Sequence, residues 1–339
     1  MIESLVNVPE ENMLEIDKLV TKVINLDDEK LRYSDDVFNI AYGVDKNFLF
    51  GTGVSIASIL MHNKNMDFHF HIFTDFFDNK QKNLFSQLAK QYNTKITIYL
   101  LKCDEIKKLP TTSNWSYAIY FRFIIVNYLF LKVNEVLYLD ADIVCNGNIS
   151  QLTKITFHNN EIAAVIQEGG KDKFKSIDAS SIGEKYFNSG FLLINIQQWK
   201  KENISTQAIN LLLKKKLPFP DQDALNLLLV DKLIFLDKKW NKIYSLDDEM
   251  KGNKKREICN DDLLIHYIGH TKPWHKWSKP SSTQAFIVAK NASPWKDIAL
   301  KSATSAHLLK YQFKHALYQK NYLSAFSAYI KYLWKCMTC

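Results

Sequence analysis

Glycine and proline are scarce in these 339 residues, numbering 10 and 7, which excludes a collagen-like or low-complexity chain and leaves an ordinary globular protein. Cysteine is scarce too. The five cysteines (Cys103, Cys145, Cys259, Cys336 and Cys339) are odd in number and scattered, unlike the dense framework of a secreted domain, so a reducing compartment is expected. No apolar run is long enough to span a membrane: the longest, 121–133, is interrupted by Arg122, Asn127 and Lys132. The opening MIESLVNVPEEN has early acids and no apolar core of signal-peptide length. Long unbroken basic blocks of the kind that bind nucleic acid are missing from the first two thirds, where Lys is interleaved with Asp and Glu. Much of the formal net charge of +8 accumulates after about residue 290. The expectation is a cytoplasmic protein without a nucleic-acid partner, either soluble or held at a membrane surface.

What is present is alternation. After a polar leader over 1–36, with a weak helical stripe of Leu14, Leu19 and Val23, strand-like and helix-like segments take turns. Strands are expected at 37–42, 68–74, 95–101, 135–142 and 162–167, with helices at 51–62, 79–92 and 116–131 between them. The pattern continues through NSGFLLIN, a helix at 199–216, FPDQDALNLLL, and strands in KLIFLD and DLLIHYIG. Such alternation implies right-handed βαβ crossovers and a mostly parallel, Rossmann-like sheet with helices on both faces. The main α/β domain is placed at 37–277. In 278–339, Ala306, Leu309, Phe313, Ala316 and Leu317 share one helical face, as do Tyr322, Phe326, Tyr329, Ile330 and Leu333, with Lys opposite. Two such helices would suit either a membrane-surface anchor or a hairpin packed on the core.

The chemistry centres on EVLYLDADIVCNG (135–147). A run such as Val136 to Leu139 belongs to a strand buried on both faces, where carboxylates have no place. Asp140 and Asp142 must therefore lie at or beyond its carboxyl end, where an open α/β sheet keeps its ligand crevice, with something positive between them. Carboxylate oxygens suit Mg²⁺ or Mn²⁺, and one added imidazole favours Mn²⁺. The candidate imidazole is His266, inside LLIHYIG. In HYIGHTKPWH that follows, Gly269 allows a tight turn and Lys272 places a point charge near whatever the metal holds, an arrangement suited to a diphosphate. His69 and His71 in FHFHIF face the same way without a third ligand and are expected to be packed. The terminal C-M-T-C lacks the βαβ context of a redox motif, and the basic clusters at 214–216 and 254–257 are expected to be solvated faces. A haloacid-dehalogenase-type Mg²⁺ phosphotransferase would also use D-x-D after an apolar strand, but normally near the chain start and followed by Thr or Val rather than Ile143. A non-catalytic membrane-surface adaptor would not need Lys272 and His266 in register with an acid pair.

Taken in order, AYGVDKNF, YLDAD, YFNSGFLLIN, FPDQDALN and HYIGHTKPW resemble glycosyltransferase family 8, the retaining enzymes of the GT-A fold. Within it the likeness is greatest to bacterial lipopolysaccharide core α-glucosyl- and α-galactosyltransferases. It runs through 38–277 and extends to the basic aromatic tail. The resemblance implies a UDP-glucose or UDP-galactose donor, a divalent cation (Mn²⁺ or Mg²⁺), and a phosphate-bearing lipopolysaccharide core acceptor. The enzyme would then work at the cytoplasmic face of the inner membrane and form an α-1,3 linkage. By the same resemblance, Asp140, Asp142 and His266 hold the metal. Ala141, Gly269 and Lys272 meet the nucleotide diphosphate, Asp45 and Asn47 bind uridine, and Tyr42, Gly43 and Val44 form a turn beneath the base. Arg122 reaches the donor sugar, Asn188, Asp221 and Gln222 surround it, and Gln222 lies nearest the reacting carbon. An acidic position after the metal strand has no clean match, which leaves Glu168 as the candidate for acceptor contact. Gln222 is a poor nucleophile, so front-face attack by the acceptor is expected, with Asp221 as the alternative nucleophile.

Overall fold

Three parallel strands found the sheet: β2 (Phe38–Val44), β3 (Phe68–Thr74) and β4 (Lys95–Leu101) run side by side, linked by α1 (Leu49–His62) and α2 (Asn79–Tyr92). The computed structural model describes residues 18–26, 36–111, 116–158, 160–168, 185–251 and 258–338. Asp78 caps α2 by accepting from the Gln81 N–H, and Asn93, at φ 50°, ends it in the left-handed conformation that Asn tolerates. The chain then returns to lay β5 (Glu135–Leu139) on the other side of β2. A topological switch point therefore lies between β2 and β5, and ligands of open α/β sheets bind outside the carboxyl ends at such points. Asp45 follows β2 there, and Asp140 follows β5.

Beyond β5 the pairing changes direction. β8 (Phe191–Asn195) runs antiparallel between β5 and β7 (Ala163–Val165), and β9 (Leu233–Phe235) closes that edge parallel to β7. At the far edge, β1 (Val20–Asn25) pairs antiparallel with β4. The expected helical stripe is thus corrected: Val23 lies on a strand whose partly exposed edge position accommodates the polar sequence VTKVIN, and Leu14 lies outside the described residues. Within the described residues the large sheet has eight strands. A second, three-stranded sheet joins β10 (Lys242–Ser245), β11 (Leu264–Ile268) and β6 (Ile143–Cys145).

Helices cover both faces, as the alternation implied. Ile40 and Tyr42 of β2 point into one apolar layer with Val54, Phe85 and Trp295, while Ala41 points into another with Phe121, Trp199 and Ile209. The helix expected at 116–131 is a short 3₁₀ turn, Tyr117–Tyr120, followed by α3 (Phe121–Leu129). That expected at 199–216 divides into α4 (Ile196–Lys201) and α5 (Ile204–Lys214), because Asn203 takes a left-handed φ of 51°. FPDQDALNLLL supplies α6 (Pro220–Leu228), with Pro220 in the first turn where its missing N–H costs nothing.

The chain after residue 278 does not form a detached tail. Phe286 of α7 (Gln284–Asn291) and Trp295 join the main core, where Trp295 meets Phe85 edge-on at 4.9 Å. α8 (Ala306–Tyr318) docks through Leu309, His315 and Ala316. α9 (Tyr322–Met337) buries only Ala325 and Ala328 and leaves Tyr322, Leu323, Phe326, Trp334 and Met337 exposed. The packed-hairpin expectation therefore holds for α8, and the large apolar side chains of α9 face solvent. Among the described residues no helix is long and apolar enough to cross a membrane.

Candidate active site

β5 ends at Leu139, earlier than expected, because the Asp140 N–H turns to donate to the carbonyl of Gly190 at 2.9 Å. The next residues fold back into β6, and Ile143 of β6 pairs with His266 of β11. This short antiparallel ladder brings the imidazole to the acid pair across more than a hundred residues of chain. His266 Nε2 lies 3.2 Å from Asp142 Oδ1 and 3.8 Å from Asp140 Oδ2. One ligand atom from each of the three side chains lies within 4.8 Å of the others.

The ring's orientation follows from its neighbours. Asn241 Nδ2 donates to Asn188 Oδ1 at 3.1 Å, so its Oδ1 faces His266 Nδ1, also at 3.1 Å, and that ring nitrogen carries the proton. Nε2 is left with the lone pair, aimed at the two carboxylates. Such a set is repulsive unless a cation stands among its members, and two carboxylates with one outer-oriented imidazole suit a hard divalent ion. The backbone leaves room for close convergence: a Cβ at position 190 would lie 2.4 Å from His266 Cε1 and 2.7 Å from Asp140 Oδ2. Only glycine fits there. The residues present therefore fit the expected metal.

Two cations border the acids. Lys272 Nζ donates to Asp142 Oδ2 at 2.5 Å and to the Tyr267 carbonyl at 3.0 Å. Burial alone would push the Asp142 carboxyl up, but Lys272 and His266 beside it prevail and hold it below the usual carboxylate range. Beneath the pair sits Arg122, 3% exposed. Its Nε donates to Ile119 O, Nη1 to Ser189 O, and Nη2 to Tyr138 OH and Asp140 Oδ1, between 2.7 and 3.2 Å, and Nη1 forms an ion pair with Asp221 Oδ2 at 3.0 Å. All three guanidinium nitrogens are thereby engaged. Burial opposes its charge, but Asp221, Tyr138 and Asp140 outweigh this and raise its pKa. Asp221 is raised by burial, with Arg122 opposing.

Gln222, at the start of α6, joins this cluster. Its Oε1 accepts from Asn188 Nδ2 at 3.0 Å and the Ser189 N–H at 3.1 Å, and its Nε2 donates to Tyr186 OH at 2.8 Å. The same Nε2 donates to Glu168 Oε2 at 3.4 Å, so the candidate acceptor contact and the candidate reaction centre are joined directly. Ala141 is buried in the turn between the two acids, its carbonyl against Gly51. Gly269 adopts φ +94°, a conformation glycine takes freely, as the turn required.

The first strand departs from expectation. Tyr42, Gly43 and Val44 form the end of β2 rather than a turn. The Tyr42 ring is fully buried with its hydroxyl on Ser55, and a Cβ at Gly43 would meet Phe121 Cβ at 2.7 Å, so both positions serve packing beneath the crevice. Asp45 starts the loop, accepting from the Asn47 N–H at 2.7 Å. Lys301 Nζ donates to the carbonyl of Asn47 from the far end of the chain.

Several supporting residues left no signal in the sequence. Asp247 Oδ2 accepts from the N–H groups of His270 and Thr271 at 2.9 and 3.1 Å, and its Oδ1 from His315 of α8 at 3.0 Å. It thus ties the Lys272 loop to the C-terminal helices. His69 and His71 are packed, bonded to Thr97, Tyr99 and Asn39, and burial holds both far below the ordinary histidine value, His69 at about 3. Cys336 is exposed and unpaired; Cys339 and the 254–257 cluster lie outside the described residues.

Comparison with known proteins places this geometry among relatives. Residues 39–278 match the family model described as glycosyl transferase family 8, and 281–335 match its C-terminal companion. The chain is 47% identical over 316 residues to lipopolysaccharide 1,3-galactosyltransferase of Salmonella typhimurium, covering 91% of this chain and 94% of that protein. It is also 47% identical to lipopolysaccharide glucosyltransferase WaaO of Escherichia coli, covering 90% and 93%. In fold it is similar to the galactosyltransferase LgtC, solved with donor and acceptor sugar analogues, at TM-score 0.61 and 17% identity over 76% of this chain and 96% of that one.

Proposed function

Since the chain belongs to glycosyl transferase family 8, we propose that it moves glucose or galactose from a UDP-sugar to the growing outer core of lipopolysaccharide, with retention and through an α-1,3 linkage. The observation that carries this reading is the convergence of Asp140, Asp142 and His266 at a sheet switch point, with Lys272 alongside. The phosphotransferase and adaptor alternatives draw no support from the comparisons.

Asp140, Asp142 and His266 would hold the divalent cation, which when bound supplies positive charge to the departing diphosphate. Lys272 adds a second positive charge at the same place, so the leaving group is stabilised as its charge develops. Asp45 and Asn47, in the loop after β2, hold the uridine, with Ala141 and Gly269 offering backbone at close approach. Asn188, Asp221 and Gln222 surround the donor sugar, with Arg122 fixing the acids beneath it. The acceptor hydroxyl attacks from the face that UDP leaves and passes its proton to a phosphate oxygen; trapping of a glycosyl adduct on Asp221 would argue for double displacement instead. Glu168 contacts the acceptor.

The exposed apolar side chains of α9, interleaved with Lys331 and Lys335, hold the enzyme on the anionic cytoplasmic face of the inner membrane. The test offers purified protein UDP-glucose and UDP-galactose with Mn²⁺ and truncated core lipopolysaccharide, and follows UDP release. Acceptor-dependent release from one donor supports the proposal; none from either, with Mn²⁺ or Mg²⁺, overturns it.

A further inference from the structure

The side-chain amide of Gln222 has its orientation dictated by groups that cannot exchange roles. The Ser189 backbone N–H, 3.1 Å away, can only donate, so the atom facing it is Oε1. On the other side, Tyr186 OH lies 2.6 Å from Asp223 Oδ1 and gives its single proton to that carboxylate. Its oxygen can then only accept from Gln222, so the atom facing it at 2.8 Å is Nε2. Asp223 is itself fully buried, and its second oxygen accepts from the Phe219 N–H at 2.9 Å, which fixes the carboxylate at the start of α6. Both lone pairs of Oε1 are taken, by Ser189 N–H and Asn188 Nδ2.

We propose that Tyr186 and Asp223 are positioning residues that lock the Gln222 amide with its oxygen turned to Ser189 and its second N–H turned to the Glu168 carboxylate, in a long 3.4 Å hydrogen bond that a substrate oxygen would replace. This rests on the proposed place of Gln222 at the donor sugar. In that lock, Oε1 has no lone pair to offer an anomeric carbon, and Gln222 serves the reaction as an N–H donor to a substrate oxygen. Removing the Tyr186 hydroxyl leaves Nε2 with only its long 3.4 Å bond to Glu168, which reduces the fraction of enzyme with the N–H correctly placed without altering the metal and nucleotide contacts.

The test measures kcat and KM for the UDP-sugar in Tyr186→Phe, Gln222→Ala and the double variant, with the melting temperature of each. The expected result is a fall in kcat of about tenfold for Tyr186→Phe with KM changed by less than about twofold, and no further fall when Tyr186→Phe is added to Gln222→Ala. A general structural role would lower kcat equally in both backgrounds, and that outcome, or an unchanged kcat, overturns the proposal. If Tyr186→Phe does not fold, Asp223→Asn replaces it, because one amide cannot accept from both Tyr186 and the Phe219 N–H; the same pattern is expected and the same outcomes refute it. Full activity in Gln222→Ala alone would instead refute the placement of Gln222 at the reaction centre.

Discussion

Replacing Gly190 by alanine should disable the candidate metal site while leaving the backbone undisturbed. Only the added methyl matters. It would stand 2.4 Å from His266 Cε1 and 2.7 Å from Asp140 Oδ2, whereas carbon atoms rest at about 3.5 Å or more, so roughly 1 Å of displacement is demanded. Neither neighbour yields freely: the imidazole is bonded to Asn241 on β11's flank, and the Asp140 carboxylate is held by Arg122 and Tyr138. Overpacking of this kind costs about 1–3 kcal/mol of stability. Metal distances tolerate only about 0.2 Å of error, so Mn²⁺ affinity in the presence of UDP should fall about 10- to 100-fold. Calorimetric titration of Mn²⁺ measures this, with Gly53→Ala as control. Its Cβ would strike the Trp295 ring at 2.3 Å and touch neither acid, and should lower the melting temperature without changing Mn²⁺ affinity. Wild-type Mn²⁺ affinity in Gly190→Ala would refute the placement of His266 and Asp140 around a shared ion.

Lys272→Gln should lower kcat by about 10²–10³, the usual effect of removing one donor to a developing charge, and Lys272→Arg should not restore it, because the compact ammonium is bonded to both Asp142 and the Tyr267 carbonyl; steady-state kinetics decide. Asp247 would be pushed up by burial, but hydrogen bonds from His315 and Thr271 hold it down at about 2. Its lowered folded-state value means that it stabilises the fold above the ordinary carboxylate range and loses that contribution as pH falls toward 2, about 2 kcal/mol in all. Urea unfolding between pH 6 and 2.5 should therefore show a shallower loss for Asp247→Asn than for the parent chain. Phe326→Ser with Trp334→Ser, both at exposed positions on α9, should weaken binding to vesicles containing anionic lipid by at least about tenfold while UDP-sugar hydrolysis stays unchanged; equal loss of both would make α9 structural.

Much of the fold was legible because two-sided burial writes a strand as an unbroken apolar run. The ends of β3, α2 and β4 fall where the pattern put them, and the D-x-D at the end of such a run announced the crevice. Direction is another matter. FLLIN reads the same whether β8 runs parallel or antiparallel, since its residues are buried on both faces either way. β1 shows only a weak helical stripe because an edge strand needs few apolar residues, and VTKVIN has only three. A left-handed Asn203 inside an apolar periodic stretch gives no periodic warning of the break it makes. The burial of Trp295 and His315 in the body of the protein likewise left no mark in the composition of 278–339. At the site, the residues that touch ligands carry recognisable spacing, whereas those that hold them do not. Asn241, Asp247, Tyr186 and His315 matter only through partners distant in sequence, and each is an ordinary polar residue until the fold supplies its neighbour.

The central claim is that Asp140, Asp142 and His266 share one cation when UDP is bound. Electron paramagnetic resonance of Mn²⁺ titrated into the protein with UDP tests it directly. The account predicts one tightly held Mn²⁺ per chain, lost in His266→Ala and in Asp142→Asn while both variants keep their fold; an ion bound with undiminished affinity in both would contradict it.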